Sequence, residues 1–224
     1  MTADIAASQG HASAALYSLG RAMSARQAEI RRDILLTAKH RFARFGFDGT
    51  SLADIARSVD LSPAEVLLHF EDKLSILMTV FEEGWASINP RLQDIVITSA
   101  SARQAALSML AIMMNILERD EDFARLLLFE SRRVHPESGE IMVSKGYRWF
   151  IRLCTELVVR GQKDGSFSRD YDPRVIVSIL TGGVENLMRD RILAYQDRAT
   201  APITGTQCIS AFDALVSFIK PSSG

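Results

Sequence analysis

From residue 26 onward, apolar residues recur at spacings of three and four almost without interruption, and no segment alternates apolar and polar residues between turn signals. The pattern predicts an all-α chain. A first helix is expected over 27–45, with Ile30, Ile34, Ala38, Phe42 and Phe45 on one face and Leu35 beside them. Its other face carries Arg31, Arg32, Lys39, Arg41 and Arg44, and Gly46 supplies a left-handed stop. A short helix follows over 51–59, burying Leu52, Ile55, Ala56 and Val59. Thr50 and Ser51 are both good N-cap residues, and Ser51-x-x-Asp54 forms a loose capping box. After Asp60-Leu61, the run Ser62-Pro63-Ala64-Glu65 stacks a second capping box on a proline at the first helical position. Two helices this short, joined by so tight a turn, must cross steeply and pack on the first helix, which is helix-turn-helix geometry.

Longer helices are predicted at about 73–99, 102–119, 121–134, 137–162, 173–195 and 204–220, with 161–165 as a loop and Asp172-Pro173 as a helix start. Ile176, Ile179, Leu180, Gly183 and Leu187 make one apolar stripe, and Ile209, Phe212, Val216 and Ile219 another. Residues 1–25 are rich in Ala, Ser and Gly and weakly periodic. They read as a flexible arm with a short helix near 14–19. The expected division is thus an arm (1–25), a three-helix helix-turn-helix domain (26–72) and a larger helical ligand-binding and dimerisation domain (73–224).

Charge sharpens the first domain. The 224-residue chain has a formal net charge of −1, which argues against a general nucleic-acid coat. Within 26–47, however, Arg26, Arg31, Arg32, Lys39, Arg41 and Arg44 stand against Glu29 and Asp33, a local charge of +4. The two cysteines, Cys154 and Cys208, provide no disulfide framework. Asp4 without early Lys or Arg is not a signal-peptide opening. The longest apolar stretch, 105–117, is too short to cross a bilayer and carries Ser108 and Asn115. A cytoplasmic protein without a membrane partner is therefore expected. His11, His40, His69 and His135 are too scattered to suggest a metal site. No Gly-x-Ser-x-Gly, phosphate-binding Gly loop, His-Glu-x-x-His or Cys-x-x-Cys is present, so neither enzyme activity nor a cofactor is expected.

Several motifs carry a family resemblance. They are Arg31-Arg-Asp-Ile-Leu-Leu-Thr-Ala-Lys-His-Arg-Phe-Ala-Arg-Phe-Gly46, Phe47-Asp-Gly-Thr50-Ser51-Leu-Ala-Asp-Ile55-Ala56 and Leu61-Ser62-Pro-Ala-Glu-Val-Leu-Leu-His69-Phe70-Glu-Asp-Lys73. In that order, they resemble the DNA-binding domain of the TetR family of regulators over about 45 residues. Gly161-x-x-x-Gly165-x-Phe167, followed by Asp172-Pro173, is similar to the family's break before its dimer helices. The resemblance implies double-stranded operator DNA as partner, with the third helix in the major groove. Pro63, Ala64, Glu65, Leu67 and Leu68 would then face base edges: Glu65 to accept from a cytosine amino group, Leu67 or Leu68 to touch thymine methyls. Glu65 serving only as the cap partner of Ser62 is the rival reading. Thr50, Ser51 and Ser62 lie at helix N-termini, which bind phosphate. Arg31, His69 and Lys73 would reach backbone phosphates, and Phe70 would plug the recognition helix into its core. Asp60 and Ala64 stand where the family often has Gly, and Leu67 where it usually has a phosphate-binding Tyr.

In the second domain Met109, Met113, Met114 and Leu117, with Phe123, Leu126, Leu127 and Phe129, form either plain core or the wall of a pocket for an apolar ligand. Asn115, Glu130, Arg132, Arg133, His135, Trp149, Arg152, Glu185 and Asn186 are polar breaks on these helices that would orient a ligand. The runs Phe129-Glu-Ser-Arg-Arg133 and Gly182-Gly-Val-Glu-Asn-Leu187 are loosely similar to fatty-acid-responsive members of the family. That similarity implies a fatty acid or acyl-CoA effector touching Met113, Met114, Leu117, Phe129, Arg133, Trp149 and Asn186. The family resemblance also implies a homodimer through the last two helices. Gly182-Gly183 costs roughly 1 kcal/mol per Gly relative to Ala inside a helix, and close helix approach would justify it. The resulting expectation is a ligand-responsive transcriptional repressor on a near-palindromic operator. The alternative is a helical ligand-binding or adaptor protein without specific DNA binding, and salt-dependent binding separates the two.

Overall fold

The structure is a computed structural model that describes residues 2–130, 139–196, 201 and 203–218, with side chains from residue 23 onward except those of 117, 195, 196, 217 and 218. Its described residues form α1 (Thr2–Phe45), α2 (Leu52–Ser58), α3 (Pro63–Val66), α4 (Lys73–Thr98), α5 (Ala102–Arg119), α6 (Glu121–Glu130), α7 (Lys145–Asp164), α8 (Pro173–Gln196) and α9 (Gly205–Phe218). No helix among them is long and apolar enough to cross a membrane. The chain divides into two compact units, Met1–Leu77 and Met78–Gly224.

In the first unit α1 packs on α2, and α2 on α3. Ile34, Ala38, Ile55, Ala56 and Val66 are fully buried between them, as are Phe42 and Phe70 nearly so. Each large aliphatic or aromatic side chain buried in this way contributes about 1.5–3 kcal/mol. Phe45 departs from its predicted place in the core: it is half exposed, and the guanidinium groups of Arg41 and Arg44 lie 5.2 and 5.6 Å from its ring. The backbone of α1 is also helical from Thr2, where the sequence suggested an irregular arm and a start near residue 27. No proline interrupts this Ala-rich stretch, and its glycines weaken a helix without ending it. At the other end Gly46 adopts φ +76° and closes α1. Asp60 takes φ 55°, alone among the described non-glycine residues in the left-handed region, and so performs the turn where glycine is more usual.

The second unit is a helical cluster in which α5 packs on α6, α7 and α9, and α8 packs on α6 and α7. Side chains tie off the helix ends. Ser101 Oγ and the Asp164 carboxylate accept from Gln104 N and Ala102 N at the start of α5, at 3.2 and 3.0 Å. Arg160 donates to the carbonyls of Val96 and Ser99 at the end of α4. The Arg103–Asp213 ion pair, 2.7 Å, joins α5 to α9. Pro90 lies inside α4, where it removes the backbone donor that Ala86 O would otherwise receive. Beside it, Asn89 Nδ2 donates to Gly146 O at 3.1 Å. Cys154 and Cys208 are unbridged.

Both boundaries of α7 move from their predicted places. α7 starts at Lys145 rather than near 137, because Ser144 is its N-cap, with Oγ accepting from Tyr147 N at 3.0 Å. It also runs through the predicted 161–165 loop to Asp164, and only Gly165, at φ +81°, makes the turn. Gly161 serves packing instead: a Cβ there would stand 2.1 Å from a ring carbon of Phe167. The predicted 121–134 helix is described to Glu130, and residues 131–134 lie outside the described set, as does Ile219 of the last stripe.

Candidate nucleic-acid interface and effector cavity

The helix-turn-helix is held by two reciprocal capping boxes. Ser51 Oγ accepts from Asp54 N at 3.1 Å, while the Asp54 carboxylate accepts from Ser51 N and Oγ at 3.1 and 2.6 Å. These bonds, helped by Arg41 and Arg57 nearby, hold the Asp54 carboxyl below its ordinary range. The second box starts α3. Ser62 Oγ accepts from Glu65 N at 3.2 Å, and Glu65 Oε2 accepts from Ser62 N and Oγ at 2.7 and 2.8 Å. The same bonds depress the Glu65 carboxyl. Pro63 at the first helical position completes the start, since it has no N–H to leave unpaired.

Behind this face sits Lys73. Its ammonium donates to Phe47 O and Thr50 O, both at 2.8 Å, and lies 4.1 Å from the Phe47 ring centre. Two of the three donors of an ammonium are thereby used inside the protein. Thr50 is fully buried, with Oγ1 donating to Gly46 O at 2.9 Å, so it closes α1 rather than facing outward. Arg31 lies 4.8 Å over the Phe70 ring. The outward side of the recognition element consists of Ser62, Pro63, Ala64, Glu65, Leu67 and Leu68, all exposed, with His69 half-buried at its end.

The second unit contains an apolar cavity of about 110 Å³. α5 contributes Ala106, Met109, Leu110 and Met113, α7 Tyr147, Phe150, Cys154, Leu157 and Val158, and α8 Val177, Leu180, Thr181, Val184, Glu185 and Met188. Each set repeats at three and four, so each is one helix face. Trp85 from α4 also lines it and stacks on Phe150 with ring centres 5.0 Å apart. Behind Trp85 lies Glu130, almost wholly buried, which accepts from Trp85 Nε1 at 2.9 Å and Ser144 N at 3.0 Å. Burial pushes the Glu130 carboxyl above its ordinary range despite those bonds. Burial, then the nearby Glu185 and Glu130 carboxylates, push the Tyr147 phenol up to about 12, so it stays protonated in water near neutrality.

With this geometry in place, comparison with known proteins can be set beside it. Residues 34–78 match the family described as bacterial regulatory proteins, tetR family. The helix-turn-helix segment of the chain is thus of the tetR type. Over 145 residues it is 20% identical to the fatty acid metabolism regulator protein of Bacillus subtilis (strain 168), covering 64% of this chain and 73% of that protein. Among solved structures, it is similar to a FadR regulator from Bacillus subtilis in complex with stearoyl-CoA (TM-score 0.71, 16% identity, 83% of this chain and 96% of that one). It is also similar to the fatty acid degradation regulator FadR from Bacillus halodurans (TM-score 0.70, 14% identity, 83% and 93%). A third likeness is to the ketosteroid regulator KstR2 of Mycobacterium tuberculosis (TM-score 0.66, 18% identity, 86% and 95%). At these identities the structural likeness is one of fold.

The residues predicted from sequence to face DNA separate into two groups. Ser51, Ser62, Pro63, Ala64, Glu65, Leu67 and Leu68 are exposed, and His69 is half-buried near them. Thr50 and Lys73 are instead committed to internal bonds, and Arg31 covers Phe70. The predicted ligand set scatters more. Met113 lines the cavity, whereas Met114 lines a neighbouring hollow with Glu118, Arg191 and Met188. Phe129 is 55% exposed, whereas Leu126 and Leu128 on the same helix are buried. Asn186 is exposed and accepts from Arg189 at 2.7 Å, and Trp149 is not among the cavity residues. The side chain of Leu117, together with Arg132, Arg133 and His135, lies outside the described set. The sequence reading passed over Trp85, Tyr147, Phe150 and Cys154, although the Tyr147, Phe150, Cys154, Leu157 spacing is that of a single helix face.

Proposed function

We propose that this chain is a ligand-responsive transcriptional repressor. It binds a near-palindromic operator as a homodimer through residues 26–72 and leaves it when a small hydrophobic effector enters the cavity within 73–224. The observation that carries the reading is the helix-turn-helix of α2 and α3, with both starts locked by capping boxes and the outer side of α3 exposed. Basic residues along α1, among them Arg31, Arg32, Arg41 and Arg44, supply the phosphate attraction such a unit needs. Val175, Ile179 and Leu193 on α8 and Leu215 on α9 are exposed apolar side chains, and a Cβ at Gly182 or Gly183 meets nothing within 4 Å. An open glycine pair on a partly apolar helix suits close approach by a second copy. A repressor of this kind works in the cytoplasm.

A fatty acyl effector is favoured by the apolar cavity together with the likeness to FadR. The cavity of about 110 Å³ is smaller than the ~300–1,000 Å³ of most ligand sites. Entry of a chain must therefore widen it, and an effector that binds only the widened state shifts the population toward that state. Glu185 lines the cavity, so a free carboxylate inside would meet a like charge. The acyl chain is thus the part that enters, and a neutral thioester suits the site better than a free acid. Binding of the full chain to a duplex selected from a random pool, across a salt series, tests the reading. Specific binding with a steep salt slope and two protomers per duplex is expected, with release by long-chain acyl-CoA at more than tenfold lower concentration than by the matching free acid. Sequence-independent or absent binding by folded, ligand-stripped protein would leave a helical ligand-binding protein instead.

A further inference from the structure

The recognition element of this chain exposes more aliphatic surface than hydrogen-bonding groups. In a helix-turn-helix the N-terminal residues of the second helix meet the base edges. Here those residues and the turn after them expose Ser62, Pro63, Ala64, Glu65, Leu67 and Leu68. Ser62 and Glu65 are occupied with each other through three bonds of 2.7–3.2 Å. Both bonds that the Glu65 carboxylate accepts fall on Oε2, which leaves Oε1 as the one acceptor this pair presents outward. Apart from that oxygen and the half-buried His69, the element is aliphatic: Pro63, Ala64, Leu67 at 46% exposure and Leu68 at 82%. Nothing in the fold asks for two adjacent exposed leucines, since Val66 and Phe70 already anchor the element in the core.

In the major groove, the base-edge feature that an aliphatic side chain recognises is the C5-methyl of thymine. We propose that Leu68, with Leu67 and Ala64 beside it, reads thymine methyl groups, so that sequence discrimination by this protein is apolar while its affinity is electrostatic. The inference rests on the regulator reading above and makes Leu68 the main specificity-determining residue. It also predicts operator half-sites with thymines facing the element on either strand. Arg31, Arg32, Arg41 and Arg44 on α1 then contribute through charge, without regard to base sequence.

The test uses the full chain, stripped of ligand, and the tightest duplex recovered from a random pool. Each thymine is replaced in turn by deoxyuridine, which removes only the methyl. Loss of a contacted methyl should weaken binding about fourfold, and about fifteenfold when it is removed from both half-sites. Leu68→Ala, made at an exposed position and checked by an unchanged melting temperature, should erase that penalty at the facing position. The inference is overturned if uracil duplexes bind as tightly as thymine duplexes at every position. It is equally overturned if the penalty persists in the Leu67→Ala, Leu68→Ala double variant. Failure to recover any specific duplex with folded protein would remove the regulator reading itself, and this inference with it.

Discussion

Glu65 in the recognition unit and Glu130 in the cavity unit each accept hydrogen bonds from a serine that starts a helix, yet their acidities move in opposite directions. Glu65 accepts from Ser62 N and Oγ at 2.7 and 2.8 Å in open solvent, and its carboxyl is depressed. Glu130 accepts from Trp85 Nε1 and Ser144 N at 2.9 and 3.0 Å and also interacts with the Ser144 side chain, yet its carboxyl is raised because burial outweighs these bonds. Glu130 receives no fewer bonds than Glu65, so the surroundings decide the sign. At the surface a carboxylate is a cheap and firm cap. In the interior the same group joins Trp85 to the start of α7 and is harder to ionise for it.

Substitution at Glu130 should show the largest effect. Glu130→Ala leaves two buried donors unpaired and a void beside Trp85. A loss of about 3–5 kcal/mol is expected by urea unfolding. The milder Glu130→Gln sharpens the comparison through pH. A carboxyl whose folded pKa exceeds 4.5 binds a proton more readily in the folded protein, so its contribution is present at low pH and fades as pH rises through the raised value. The amide variant should flatten that decline. Wild-type stability that instead rises over the same interval, with no change in the variant, would refute the assignment.

Glycines offer the next contrast. Gly161→Ala should cost about 1–3 kcal/mol, because its Cβ would lie 2.1 Å from Phe167 and 2.9 Å from Ala102 Cβ. Gly183→Ala, in open space, should cost nothing and add up to about 1 kcal/mol to the helix. Gly183→Leu should leave a folded monomer and abolish the dimer, read by sedimentation. In the recognition unit, Ser62→Ala removes one half of a capping box and should cost about 1 kcal/mol, measurable as a lower urea midpoint. The depressed Glu65 contributes above pH 4.5 and loses that contribution as pH falls through its folded pKa, so the gap between Ser62→Ala and wild type should close in acid. Smallest is Asp60→Gly, which relieves a left-handed aspartate and should stabilise by up to about 1 kcal/mol.

The two units also differ in how much of each was legible in the chain. Ser51, Asp54, Ser62, Pro63 and Glu65 act on neighbours three residues away, so spacing alone revealed the caps and the turn between them. The limits of α5, Ala102 and Arg119, also agree with the range read from the sequence. Thr50 was misread because burial of a good cap residue depends on the end of α1, not on α2. The cavity is gathered from residues as far apart as Trp85 and Phe212, and no local pattern says which apolar face meets a void and which a neighbour. Gly161 shows the same limit: a glycine chosen for a ring packed against it looks, in sequence, like one chosen for a turn.

Pro90 gives α4 a mechanical character that its length conceals. One rung is missing from its ladder, and Asn89, next to the gap, is fastened to Gly146 in the first turn of α7. The weakest joint of this long helix is thus braced from outside, by a neighbour rather than by its own backbone.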